Sequence, residues 1–280
     1  MALTDTKGKI VATQLPDIDL SAFPAERECA LADVWRYSMF ETMLYRSNNL
    51  MHARRVLWIV EELIPLLAPN LVLDSEKTRT MALVHDDMEI VIGDIQAGHK
   101  AQMNKEQLAQ LDATEEAAIN ELALRYPKTV NGYSYRDLLH EERKKGSVEA
   151  QLVSYADKLD AYNEALHDVL GGNLSLLTSV IFYTRFFAQV KDRLPLLVPG
   201  LDGAAPSPFV YPFIQSPKPE EGPVTHAAYQ EFSGKPHTKE SIRKDSVRFP
   251  FYDAWKKLVL TRGGDEGERW LIEQHESLPA

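Results

Sequence analysis

Met81-Ala82-Leu83-Val84-His85-Asp86-Asp87-Met88-Glu89-Ile90-Val91-Ile92-Gly93-Asp94-Ile95 is the stretch on which the reading of this chain turns. An apolar lead runs straight into a histidine and several carboxylates. Burying such a cluster is costly unless an ion or a partner compensates it. The pattern predicts a helix over 77–90, begun by a cap at Asp74 or Ser75. On that helix His85 and Glu89 stand four apart and Asp86 and Glu89 three apart, so the three can converge. Imidazole and carboxylate are the usual ligands of first-row divalent ions where thiolates are lacking. Taken alone, the tract also fits a helix end with a solvated acidic face.

Two neighbouring helices repeat the anomaly. His52 lies on the stripe His52, Val56, Ile59/Val60, Leu63 and Leu67, the face its helix should bury. A lone histidine there is more often a hydrogen-bonded core residue than a ligand. Asp157 shares a face with Ala150, Val153 and Ala161, and an inward carboxylate needs a partner. Together with His85 and Asp86 these residues make two imidazoles and two carboxylates. One shared metal satisfies all four.

The surrounding sequence reads as helix over 31–192. Apolar residues recur at helical spacing over 50–67, and 105–125 is rich in good helix formers until Tyr126-Pro127 interrupts it. A short charged helix is expected over 135–145. A longer one starts at a Ser147 cap and stops at Gly171-Gly172. An apolar helix over 174–194 ends at Pro195 and offers a face for a homodimer. No segment alternates convincingly over five residues, so the fold class expected is all-α. Beyond Pro195 the composition shifts to prolines, glycines and interleaved aromatics, a loop chemistry, with helices expected near 250–261 and 266–275. The division expected is an N-terminal segment over 1–30, a helical core over 31–194, and an irregular, Pro-rich extension over 195–280.

Composition narrows the function classes. With 44% hydrophobic and 26% charged residues, the 280-residue chain has the balance of a globular protein. No apolar stretch reaches the roughly 18 residues that a membrane-spanning helix needs, so no membrane partner is expected. The first 20 residues show no apolar region behind a basic start, and no secretory leader is expected. Cys29 is the single cysteine, so no intramolecular disulfide can form and a reducing, cytoplasmic setting is expected. The net charge of −10 and pI near 5.3 argue against a nucleic-acid polymer as partner, which calls for a positive field. A small phosphorylated substrate is compatible, because a bound cation and local basic residues reverse the potential within one cleft.

His52, then His85-Asp86, then Asp157 in Tyr155-Ala156-Asp157-Lys158-Leu159-Asp160 resembles the H…HD…D signature of the HD superfamily of metal-dependent phosphohydrolases. Within it, His85-Asp86-x-x-Glu89 followed by Gly93-Asp94-Ile95 and Lys100 is similar to the bacterial 5′-deoxynucleotidases and their eukaryotic HD-domain relatives, over roughly residues 45–172. The resemblance implies an HD-domain helical bundle and one divalent transition metal (Mn, Co, Fe, Ni or Zn) on His52, His85, Asp86 and Asp157. It also implies hydrolysis of nucleoside phosphates, with Glu89 and Asp94 placing or activating the water and Lys100 meeting the phosphate. Arg46, Arg54 and Arg55 are further candidate phosphate contacts. Two features depart from the pattern. Met51 stands where the family often has Glu, and Trp35-Arg36 reverses the Arg-Trp pair that reads the sugar in the deoxynucleotidases.

The activity expected is removal of phosphate from (deoxy)nucleoside 5′-monophosphates. A deoxynucleoside triphosphate triphosphohydrolase would use the same ligands. A di-iron HD oxygenase would recruit two more histidines, for which His99 and His140 are the candidates. A non-catalytic HD module that binds a nucleotide or protein is the remaining alternative.

Overall fold

A computed structural model describes residues 20–40, 43, 47–170 and 174–201. The expected helices near 250–261 and 266–275, the Gly171-Gly172 stop and most of the 195–280 extension lie outside the described residues.

Eleven helices make up about 70% of the described residues: α1 (Ala25–Asp33), α2 (Asn49–Leu67), α3 (Ser75–Val84), α4 (Glu89–Ile92), α5 (Ala97–Lys100), α6 (Lys105–Arg125), α7 (Tyr135–Lys144), α8 (Val148–Leu170), α9 (Leu177–Ala188), α10 (Val190–Arg193) and α11 (Val198–Leu201). Single 3-10 turns at Leu174–Leu176 and Pro195–Leu197 join the last of them. The fold is an all-α bundle, as the periodicity implies. Among the described residues, no helix is long and apolar enough to cross a membrane.

Local chemistry sets the helix starts. Asn48 accepts the Met51 N–H at the head of α2, Asp74 accepts the Lys77 N–H at α3, and Ser147 accepts the Ala150 N–H at α8. Asn104 and Gln107 form a reciprocal capping box on α6. Helix α8 is the centre of the bundle and packs against α2, α3, α7 and α9. It buries Leu152, Val153, Ala156, Leu159 and Tyr162, while α2 contributes Val56, Ile59, Val60, Leu63 and Leu67 to the same core.

Three expectations need correction. The helix over 77–90 ends at Val84. From there the chain tightens into i→i−3 hydrogen bonds, Asp87 to Val84 and Glu89 to Asp86, before α4 resumes. At this turn the Asp87 carboxylate is taken inward by Arg27. Second, the helix over 174–194 is broken into a 3-10 turn, α9 and α10, with Gln189 out of helical geometry. Third, a hairpin of two-residue strands is present, β1 (Thr129–Val130) and β2 (Tyr133–Ser134), with Val130 opposite Tyr133. Its loop, Asn131-Gly132, has both φ angles positive, 50° and 84°, the conformation of a type I′ hairpin turn. Strands this short carry no alternation to read.

Arg27 belongs to α1 and is 1% exposed. Its guanidinium donates to both Asp87 oxygens, at 2.8 and 2.6 Å, and to the Leu83 carbonyl at 2.8 Å. Tyr135 donates its hydroxyl to Asp87 Oδ2 at 2.7 Å, and the Phe23 ring lies 4.3 Å from the guanidinium carbon. A buried ion pair thereby fixes the turn that carries His85 and Asp86.

Candidate metal centre and active site

His52 sits in the first turns of α2 with its ring fully buried. Its Nδ1 lies 2.7 Å from Asp160 Oδ2, on the face of α8 that also presents Asp157. A carboxylate accepts, so Nδ1 carries the proton and Nε2 points its lone pair inward. His85 has the same arrangement. Its Nδ1 is 2.7 Å from the Ala82 carbonyl oxygen, which can only accept, so its Nε2 is also a lone-pair donor.

The two Nε2 atoms are 3.2 Å apart. Asp86 Oδ2 is 3.3 Å from His52 Nε2, Asp86 Oδ1 is 3.4 Å from His85 Nε2, and Asp157 Oδ1 is 3.3 Å from His52 Nε2. Ligand atoms about 2.1 Å from a common ion stand roughly 3.0–3.4 Å apart, so these edges fit one cation. Two lone pairs and two carboxylates facing each other also repel unless positive charge lies between them. Burial and the charge of Arg36 pull the His52 imidazole toward neutrality, yet hydrogen bonds to Asp157, Asp160 and Asp86 outweigh them and push its pKa up to about 10. The surrounding carboxylates thus favour positive charge at that nitrogen. Burial holds His85 below the ordinary histidine range, in the neutral form a ligand needs. His52, His85 and Asp157 offer ligand atoms within 4.8 Å of one another, and Asp86 bridges the two rings.

Asp160 orients His52 and is itself gripped by Arg55, at 2.7 and 2.8 Å. Arg55 also reaches Glu164 at 3.2 Å, and Glu164 accepts from the Ser47 N–H and hydroxyl. The Asp160→Asn protein is expected to bind Mn or Co about 10–100-fold more weakly, the usual effect of removing a group that orients a histidine ligand. Titration against a chelator of known affinity checks this.

A cavity of about 390 Å³ opens beside the cluster, within the range of small-ligand sites of roughly 300–1,000 Å³. Glu89 and Asp94 line it. Burial, then the charges of Asp86 and Asp94, hold the Glu89 carboxyl well above the usual range, and the Asn49 amide donates to it. Burial likewise raises Asp94, which accepts the Tyr37 N–H at 2.9 Å. Gly93 has φ 77°, a left-handed conformation that turns the chain sharply between these two acids.

The expected phosphate contacts divide. Lys100 lines the cavity and pairs with Glu115 at 2.8 Å. Arg54 does not reach it: its side chain is 53% exposed and lies 3.7 Å from Glu28. Arg55 is occupied with Asp160 and Glu164, outside the cavity lining. Arg46 lies outside the described residues. Neither His99 nor His140 lines the cavity, and His140 faces Glu116 at 3.6 Å.

Several residues at the cavity were not among the candidate site residues read from the sequence. Arg36 is buried there, 3.5 Å from Asp86 and 3.3 Å from Glu164, despite the reversed order of its pair with Trp35. Lys145 and Lys158 add two ammonium groups. Asp157, Asp160 and Glu164 run at i, i+3 and i+7 along α8, a one-faced acidic stripe that the sequence displays and that could have marked Glu164 as well.

The family described as 5′-deoxynucleotidase YfbR-like matches residues 32–180. Among solved structures, a conserved hypothetical protein from Pyrococcus furiosus is 24% identical, with 61% of this chain and 96% of that one covered and a TM-score of 0.43. The PH0347 protein from Pyrococcus horikoshii is 22% identical with the same coverages and a TM-score of 0.44. No curated protein matches the chain.

Proposed function

Because the chain belongs to the YfbR-like 5′-deoxynucleotidase family, and so to the metal-dependent HD hydrolases, we propose that it removes the phosphate from (deoxy)nucleoside 5′-monophosphates. The observation that carries this reading is the cluster of His52, His85 and Asp157, joined by Asp86 between the two rings and set beside the buried carboxyls of Glu89 and Asp94 in one cavity.

A divalent ion on the four ligands, when bound, supplies Lewis acidity toward a phosphate oxygen and acidifies a water. Mn, Co, Fe, Ni and Zn all suit this donor set. Glu89 and Asp94 take the proton of the attacking water. Their raised pKa values bring them nearer to operating pH, where a general base is most effective. Asn49 holds Glu89 in place by donating to Oε2. Arg36 stays cationic, since the carboxylates around it outweigh its burial, and with Lys100 it faces the equatorial oxygens where negative charge resides. The apolar wall of Met88, Ile92, Phe182 and Phe186 gives the base and sugar a dry surface.

The test is release of phosphate and polyphosphate from deoxy- and ribonucleotides in the presence of Mn, Co or Zn. Orthophosphate from monophosphates is the expected result, and tripolyphosphate from triphosphates would move the protein to the triphosphohydrolases. The Glu89→Gln protein is expected to keep its metal and lose turnover about 10²–10⁴-fold. Full activity in that variant would remove Glu89 from the mechanism. Two irons per chain with no phosphate release would favour the oxygenase.

A further inference from the structure

One charged group in the cavity has no part in that scheme. Lys145 caps the C-terminus of α7 with φ 52° and ψ 35°, a left-handed conformation that disfavours any residue with a Cβ. Gly146 follows directly and would adopt it freely. The lysine is nevertheless the residue held there, its N–H bonded to the helix end and its carbonyl accepting from the Gln151 amide at 3.0 Å. Strain at a cavity wall is a pointer to function. From this position the side chain enters the cavity and pairs with Glu142, one turn earlier on α7 and buried.

On the reading that this site hydrolyses nucleoside monophosphates, we infer that Lys145 is the acid that protonates the leaving 5′-oxygen. The water oxygen forms its bond to phosphorus as the P–O5′ bond breaks, and the electron pair of that bond goes to O5′. The Lys145 ammonium gives O5′ a proton, and Glu89 or Asp94 receives the one from water. The amine left behind recovers its proton from solvent through Glu142, and the protonated Glu89 or Asp94 returns its own to solvent, so the cycle balances.

The surroundings suit such a donor. Lys158 of α8 and Lys100 of α5 set like charge against Lys145, while Asp157 and Asp86 oppose them. Desolvation by the surrounding residues is the largest influence, and with Lys158 it brings the ammonium down to about 7 although 31% of the side chain stays exposed. A group of that pKa is charged often enough to donate and acidic enough to let go. Lys158 is poorly suited to the task, because the carboxylate of Asp157 holds its proton firmly.

The leaving group distinguishes this role from simple phosphate binding. A nucleotide expels an alkoxide, which needs a proton, whereas p-nitrophenyl phosphate expels a stable phenolate, which does not. Lys145→Arg keeps a cation beside Glu142 but cannot release its proton. In the Mn-loaded protein this variant is expected to lose nucleotide kcat about 10²–10³-fold and to keep p-nitrophenyl phosphate hydrolysis within about threefold. Lys145→Gln should show the same split. Equal losses on both esters, or no loss on either, would overturn the assignment while leaving the phosphohydrolase reading intact. A wild-type protein that hydrolyses neither ester defeats both.

Discussion

The Asp86→Ala protein is expected to fold, to purify without bound metal and to release phosphate at least about 10³-fold more slowly than wild type, the several kcal/mol that metal-assisted chemistry supplies. Asp86 is the group whose two oxygens address the two imidazoles separately, at 3.3 and 3.4 Å. Without it His52 and His85 keep their orienting bonds to Asp160 and Ala82 but lose the carboxylate between them. Folding should survive, since Asp86 lines the cavity and its loss leaves the apolar core of α2, α3 and α8 untouched. Elemental analysis of the purified protein, set beside its melting curve, checks both halves. A variant that retained one equivalent of metal and full turnover would show that Asp86 is no ligand.

Replacing Arg27 by methionine should cost about 3–5 kcal/mol, the usual effect of stranding one partner of a buried ion pair. At about 2–4 °C per kcal/mol this lowers Tm by roughly 6–20 °C. The loss falls on the Leu83 carbonyl, which loses the guanidinium donor, and above all on Asp87, which keeps Tyr135 as its hydrogen-bond donor. Burial already holds the Asp87 carboxyl above its ordinary pKa, with Arg27 pulling it back down. Removing the arginine raises it further. A carboxyl raised in the folded state weakens the fold where it must ionise, so the deficit should shrink as pH falls and Asp87 takes up a proton. Melts at mildly acidic and mildly alkaline pH test the sign. A deficit that did not depend on pH would place it in packing and not in the carboxylate.

How far the sequence reveals this depends on the kind of residue. His52 and Asp157 are visible because each interrupts an apolar stripe, and a polar group on a buried face has few explanations. Asp160 and Glu164 continue the Asp157 stripe and were equally visible. The end of α3 was not. Nothing in Met88–Ile92 discourages a helix, and the partner that holds Asp87 at the break, Arg27, lies far away in the chain and meets it only after folding. Helical phase separates the two arginines after His52: Arg54 is about 200° around the helix and faces solvent, whereas Arg55 turns toward α8. Arg36 was obscured by its reversed pairing with Trp35, since the order of two residues does not fix which side chain the intervening loop turns inward. Lys145 looks like an ordinary charged helix end, and only the left-handed backbone sets it apart.

The central position of α8 has a temporal consequence. Asp157 follows Asp86 by 71 residues, and at a synthesis rate of about 5–20 residues per second the ribosome takes roughly 4–14 s to make that interval. During this time the nascent chain already carries three of the four proposed ligands and the apolar faces of α2 and α3, with no α8 to close over them. The emerging protein therefore passes through a stage in which an incomplete cluster of histidines and carboxylate lies beside exposed hydrophobic surface. Completion of one helix ends both conditions at once.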